Sequence, residues 1–130
     1  MEGRATNLKV VGRFLLAAIF IGSGALHFLA PNPFLRIMPP NLPHPTALLS
    51  LSGAAELAGG LGLLVSRTRR AAAWGLVALL IAVWPANFYM AMDHVSLPGL
   101  AGQSWAQWLR VPLQIPLILW AWSYTRPTAP

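Results

Sequence analysis

The chain has 130 residues, of which 56% are hydrophobic and only 9% charged, with a mean hydropathy of +0.59. A soluble domain carries about a quarter charged residues, so a soluble globular class is excluded and an integral membrane class is indicated. Nine basic residues against three acidic give a net charge of +6, and the absence of cysteine excludes disulfide exchange, thiolate chemistry and cysteine-bound clusters within this chain.

A transmembrane helix needs about 20 mostly apolar residues. Residues 8–30, 46–66, 71–90 and 105–124 each satisfy that length and hydropathy. They predict an all-α fold, a transmembrane four-helix bundle that makes residues 1–130 a single integral membrane domain. The first segment has the basic start of a signal peptide. Its apolar run exceeds the roughly 7–15 residues of such a leader and further spans follow, which reads as a retained span.

Residues 31–45 hold six prolines and cannot form one continuous helix. They predict an outer loop over the mouth of the bundle, with Phe34, Ile37 and Met38 touching the membrane interface. In the second span Ala54, Ala58 and Gly62 recur at every fourth position, a spacing that lets helices approach closely. The short turn at 66–70 makes spans two and three antiparallel neighbours. Pro85 predicts a bend near the outer end of span three, followed by a polar loop with Asp93, His94 and a Pro98-Gly99 turn signal. Pro112 and Pro116 remove the donors to the carbonyls of Trp108 and Pro112, which then need other partners. Trp105 and Trp108 mark one interface of the bundle; Trp74, Trp120, Trp122 and Tyr124 mark the other.

The basic residues are distributed unevenly. Arg4, Lys9 and Arg13 flank span one, Arg67, Arg69 and Arg70 fill the next inner turn, and Arg126 follows span four. With four spans these seven share a face, and the positive-inside rule puts that face and both termini in the cytoplasm. The charge therefore needs no nucleic acid to explain it, and no soluble basic–aromatic surface is visible.

Polar residues inside the spans are few. Glu56 lies in the middle of span two, where an ionised carboxylate costs ~3 kcal/mol or more. Arg110 on span four is its expected partner. Gln103, Gln107, Arg110 and Gln114 follow an i, i+4, i+7, i+11 pattern and fall in one stripe. Ser52, Gly53, Gly59 and Gly60 lie one turn either side of Glu56, and Ser23 and Gly24 share a face with His27. At 1.5 Å per residue, His27 and Asn87 lie roughly 10 Å outside the midplane, Arg110 about 7 Å outside it, and Glu56 and Gln114 near the centre. All four spans thus send polar groups into the outer half of the bundle, which predicts a pocket there. Structural alternatives stand beside this. Glu56 and Arg110 fit a registering ion pair, His27 a headgroup-level cap, Asn87 a partner for carbonyls freed by Pro85, and the glutamines interhelical hydrogen bonds. His27, His44, Asp93 and His94 lack metal-ligand spacing.

The elements Gly24-Ala-Leu-His27-Phe28, Ser52-Gly53-Ala-Ala-Glu56, Gly59-Gly60-Leu-Gly62-Leu-Leu, Arg69-Arg70, Pro85-Ala86-Asn87 and Arg110-Val-Pro112-Leu-Gln114 occur in that order. From about Gly12 to Trp122 the chain resembles the DoxX-like family of small bacterial membrane proteins. The resemblance implies a four-helix bundle in the bacterial cytoplasmic (inner) membrane. It also implies a place in redox or detoxification assemblies, since the family is named for a membrane subunit of a quinone-reducing sulfur oxidoreductase. More distant relatives act as assembly factors or cargo receptors. His27, Glu56, Asn87 and Arg110 match the family's polar positions. The lack of cysteine departs from any thiol-based role.

Three functions follow as expectations. The first is an accessory redox subunit with a quinone- or lipid-like ligand held by His27, Asn87, Gln114, Gln107 and Ser52, with quinone the one cofactor suggested and no covalent or metal cofactor indicated. Its partners would be membrane lipids and an oxidoreductase. The second is a non-catalytic assembly factor or binding subunit that contacts a client membrane protein. The third is a stand-alone intramembrane enzyme with Glu56 as general acid/base and Arg110 as charge stabiliser. Small-residue faces leave room for a homo-oligomer.

Overall fold

A computed structural model describes residues 2–36, 38, 42–92 and 104–126. Among these residues the chain is all-helical, with α1 (Glu2–Leu29), α2 (Pro31–Arg36), α3 (Pro45–Leu64), α4 (Arg69–Met92) and α5 (Ser104–Trp122). Three helices are long and apolar enough to cross a membrane: Thr6–Leu29, Pro45–Leu64 and Arg69–Tyr89. The fourth expected span is helical over 19 residues but is not among these three. Its four tryptophans, two prolines, two glutamines and one arginine lower its mean hydropathy. Asp93, His94, Pro98-Gly99, Gln103 and Ile37 lie outside the described residues.

Residues 31–45 begin as a helix, not a loop. Pro31 and Pro33 fall in the first turn of α2, where the backbone N–H groups lack intrahelical partners anyway, so proline costs little there. Pro45 starts α3 in the same way. The α3–α4 turn caps its own carbonyls: Thr68 Oγ1–H donates to Gly62 O (2.9 Å) and Arg69 Nε–H to Leu63 O (3.1 Å).

The four long helices pack antiparallel in the order α1, α3, α4, α5, and each contact has its own chemistry. Helices α1 and α3 meet backbone to backbone. A Cβ on Gly53 would lie 2.7 Å from His27 Cβ, and one on Gly24 would lie 2.8 Å from the Gly53 carbonyl oxygen. Farther along, a Cβ on Gly60 would lie 3.0 Å from the Ala17 carbonyl oxygen. Only glycine permits these distances, and close backbone approach is the main source of helix affinity where lipid supplies no hydrophobic drive. The stripe expected to do this, Ala54, Ala58 and Gly62, does so only at Gly62, which approaches Ala72; Ala54 and Ala58 are exposed. A spacing of four drifts round the helix at 100° per residue, so the contact face follows Gly53 and Gly60, seven residues apart. On the next face Gly59 seats Leu76 of α4.

Helices α4 and α5 are joined by polar side chains. Gln114 Nε2–H donates to Leu80 O (3.0 Å), and Trp84 Nε1–H donates to Val111 O (2.8 Å). The acceptors sit at equivalent places, five residues before Pro85 and Pro116 respectively. Both helices run unbroken through their prolines. The carbonyls expected to recruit partners were Trp108 and Pro112; the donor goes instead to Val111, between them. Asn87 also departs from expectation, donating from Nδ2 to Gln114 Oε1 (3.2 Å) instead of to a carbonyl freed by Pro85.

The end bearing the termini is solid. Leu16, Ala17, Phe20, Leu63, Leu76, Ala121 and Tyr124 share one buried cluster. Tyr124, expected at the membrane interface, is buried and donates to Lys9 O (2.8 Å), while Lys9 Nζ donates to Ser123 O (2.8 Å). The outward faces are apolar, with Phe14, Leu26, Leu61, Ile81 and Leu119 exposed, which is the pattern of helices solvated by lipid.

Two substitutions test these contacts. Gly53→Leu should destabilise the fold by about 1–3 kcal/mol through overpacking, whereas Gly75→Ala, whose Cβ would meet open space, should be neutral or stabilising by up to ~1 kcal/mol. Thermal unfolding in detergent followed by circular dichroism separates the two; equal melting temperatures would refute the backbone contact. By the same measurement Gln114→Leu and Trp84→Phe should each cost ~0.6–1.7 kcal/mol, the range for interhelical hydrogen bonds in membranes.

Candidate functional site

At the end opposite the termini the bundle forms a partly open cavity of about 270 Å³. All five helices reach its wall. Helix α1 supplies Ser23 and His27, α2 supplies Phe34, α3 supplies Ser52 and Glu56, α4 supplies Asn87, and α5 supplies Arg110 and Gln114. Apolar neighbours such as Phe20, Leu49, Leu80, Val83 and Leu117 fill the rest of the wall.

Helical periodicity explains the local placement. His27 lies four residues after Ser23, and Glu56 four after Ser52, so each pair stands on one face one turn apart. The α1–α3 contact at Gly24 and Gly53 brings the two faces together. His27 Nδ1 then lies 3.4 Å from Glu56 Oε2, with both side chains about nine-tenths buried.

The hydrogen-bond roles follow from chemistry. His27 Nδ1 is 2.7 Å from the Ser23 backbone carbonyl. A carbonyl only accepts, so Nδ1 carries the hydrogen and donates it to Ser23. The 3.4 Å approach to Glu56 is therefore electrostatic and is not a hydrogen bond, and Oε2 is buried without a hydrogen-bond donor among the described residues. With Nδ1 donating, the neutral imidazole presents Nε2 as its acceptor. Phe34 stacks on the imidazole at a centroid distance of 4.1 Å and an interplanar angle of 25°.

The expected partner of Glu56 was Arg110; the contact found is with His27. The physical reason is the glycine contact, which sets α1 directly against the carboxylate-bearing face of α3. Arg110 borders the same cavity from α5, although the residue as a whole is exposed. The single stripe expected on α5 therefore divides: Gln107 and Gln114 turn inward and Arg110 sits at its edge.

Of the residues singled out from sequence, His27, Ser52, Glu56, Asn87, Arg110 and Gln114 meet around the cavity. Gln107 does not; it is wholly buried and outside the cavity wall. Phe34 and Met38, expected to touch the membrane interface, line the cavity instead. The signal for Phe34 was its place just past two prolines that start a helix turn, which folds the aromatic back over the end of α1. Trp84 carried no sequence signal beyond preceding Pro85, and its role as a donor to α5 needed the structure.

Chemically, the wall offers a buried acceptor in Glu56 and a titratable nitrogen in His27. It also offers a hydroxyl on Ser52 and a cation on Arg110. Asn87 and Gln114 each keep a second amide N–H beyond the bonds described. The volume falls just below the ~300–1,000 Å³ of typical small-molecule sites, which suits one ring or a compact polar head and excludes a whole lipid.

No curated protein and no solved structure matches the chain. Residues 16–125 match the model of a family described as a domain of unknown function, DUF8561, and with most of its length covered, from the core of α1 to the end of α5, the chain belongs to that family.

Proposed function

We propose that this is a four-span protein of the bacterial cytoplasmic membrane, with both termini inside. Its cavity binds the polar head of a quinone- or lipid-like molecule arriving through the bilayer. In this reading α5 is the fourth span. Its polar residues face the pocket or its neighbours, and the basic residues near the termini hold that end in the cytoplasm. The DoxX-like resemblance adds the setting: an accessory subunit of a redox or detoxification system, in which a partner oxidoreductase supplies or accepts the electrons.

The observation that carries the reading is Glu56 Oε2, buried on the cavity wall with no hydrogen-bond partner among the described residues. Buried polar atoms in proteins are nearly always satisfied, and an exception calls for a missing partner. A donor on a ligand head meets that need. A purely structural ion pair would instead aim the His27 Nδ1–H at Glu56, whereas that hydrogen goes to the Ser23 carbonyl.

The roles then divide by oxidation state. A quinone carbonyl accepts hydrogen bonds, and Arg110, Asn87, Gln114 or Ser52 can donate them. A hydroquinone hydroxyl donates, and Glu56 accepts. A proton released from the hydroxyl has two adjacent acceptors, the Glu56 carboxylate and His27 Nε2.

The test uses the protein in lipid nanodiscs, titrated with 2,3-dimethoxy-5-methyl-1,4-benzoquinone and with its reduced hydroquinone, read by quenching of tryptophan fluorescence. Glu56→Gln should weaken hydroquinone binding roughly tenfold or more, the loss of one charge-assisted hydrogen bond, and should affect the oxidised form less. Absence of binding to the wild-type protein, or unchanged hydroquinone affinity in Glu56→Gln, would end this reading.

A further inference from the structure

An apolar groove lies beside the cavity. It has a volume of about 670 Å³ and runs along the outside of the bundle between α3 and α4. Its walls include Leu51 and Ala55 on α3 and Gly75, Ala78 and Ala82 on α4. Four residues, Met38, Ser52, Val83 and Ala86, line both the groove and the polar cavity. The two spaces are therefore neighbours separated by one layer of side chains, and Ser52 is the polar residue on that boundary.

From this adjacency we infer that the ligand carries a single hydrocarbon tail, which leaves the cavity past Ser52 and Ala86 and lies in the α3–α4 groove. The inference rests on the ligand pocket proposed above and adds the class of molecule: an amphiphile with a compact head and one linear chain.

The shape of the groove supports one chain. Gly75 to Ala86 runs about 16 Å along α4 at 1.5 Å per residue. Small residues on the facing sides keep it open: Ala55, Gly75, Ala78 and Ala82 are all exposed, and a Cβ on Gly75 would meet nothing within 4 Å. On another face the same two helices are sealed, because Gly59 receives Leu76 and Gly62 abuts Ala72. The furrow is thus a local feature of one side of the α3–α4 contact.

The groove's effect is steric, since lipid is as apolar as the groove itself and transfer between them gains little. A ring-sized head fills most of a cavity of about 270 Å³, so a long tail lies outside it. The tail needs an exit, and the shared wall is the thinnest barrier to the groove, one that side-chain rotation opens. Met38, unbranched and adaptable, lies on that wall.

Binding in nanodiscs of 2,3-dimethoxy-5-methyl-1,4-benzoquinone is compared with that of the same ring bearing a decyl chain, with affinities referred to the membrane-partitioned concentration. The variants are Ala82→Leu, beside the shared wall, and Gly75→Leu, at the far end of the groove. Ala82→Leu should weaken decyl binding on the order of tenfold or more and leave the tailless ring unchanged. Gly75→Leu should weaken only the longer chains of a homologous series. Equal decyl affinity in all three proteins would overturn the tail site while leaving the pocket standing. A change in oligomeric state in Gly75→Leu together with unchanged decyl affinity in Ala82→Leu would also overturn it, assigning the groove to a second copy of the chain. Failure of the tailless ring to bind wild-type protein would remove the pocket itself, and this inference with it.

Discussion

The contact between α1 and α3 governs the rest of the molecule. Gly24 and Gly53 let the two backbones touch, and at that separation the next turn of each helix has nowhere to project except into the bundle. His27 and Glu56 occupy those turns. A buried carboxylate costs several kcal/mol in a membrane unless something compensates it, and the glycines set an imidazole beside it. The pairing is therefore a consequence of backbone packing more than of charge seeking charge. Replacing one partner of such a pair leaves the other buried and uncompensated, which makes the position intolerant of single changes.

The opposite side of the bundle is built by other means. Helices α4 and α5 are joined by hydrogen bonds from Trp84 and Gln114 to carbonyls on the facing helix. Those carbonyls stand at matching places before a proline, so the two helices exchange donors almost symmetrically. Asn87 extends the clasp by one more bond, to Gln114. The bundle thus consists of a glycine-packed pair and a polar-clasped pair, sealed along α3–α4 by Gly59 against Leu76 and tied at the terminal end by Tyr124 and Lys9.

The cavity is the space where the two pairs diverge. At the terminal end large apolar side chains fill the gap. At the other end the inward positions carry serine, asparagine and glutamine, which are too short or too engaged in bonds to fill it. Phe34 on α2 covers His27 from above. The α3–α4 groove lies beside this space, and Met38 and Ser52 line both.

Much of this was legible in the chain. The apolar runs, the short α3–α4 turn and the level of each polar residue follow from length, rise per residue and the cost of burying polar atoms, all properties of one dimension. They put His27, Asn87 and Arg110 in the outer half of the bundle and Glu56 and Gln114 near its centre without coordinates. What remained open was azimuth. Whether Glu56 meets Arg110 or His27 depends on which small residues touch, and Ala54, Ala58 and Gly62 looked as suitable as Gly53 and Gly60. Only the packed backbones decided between those faces, because the distance of closest approach is set by pairs of glycines on different helices. The fold of residues 31–36 and the inward turn of Phe34 were likewise decided by tertiary contact, since a proline-rich stretch has several allowed conformations until a neighbour selects one.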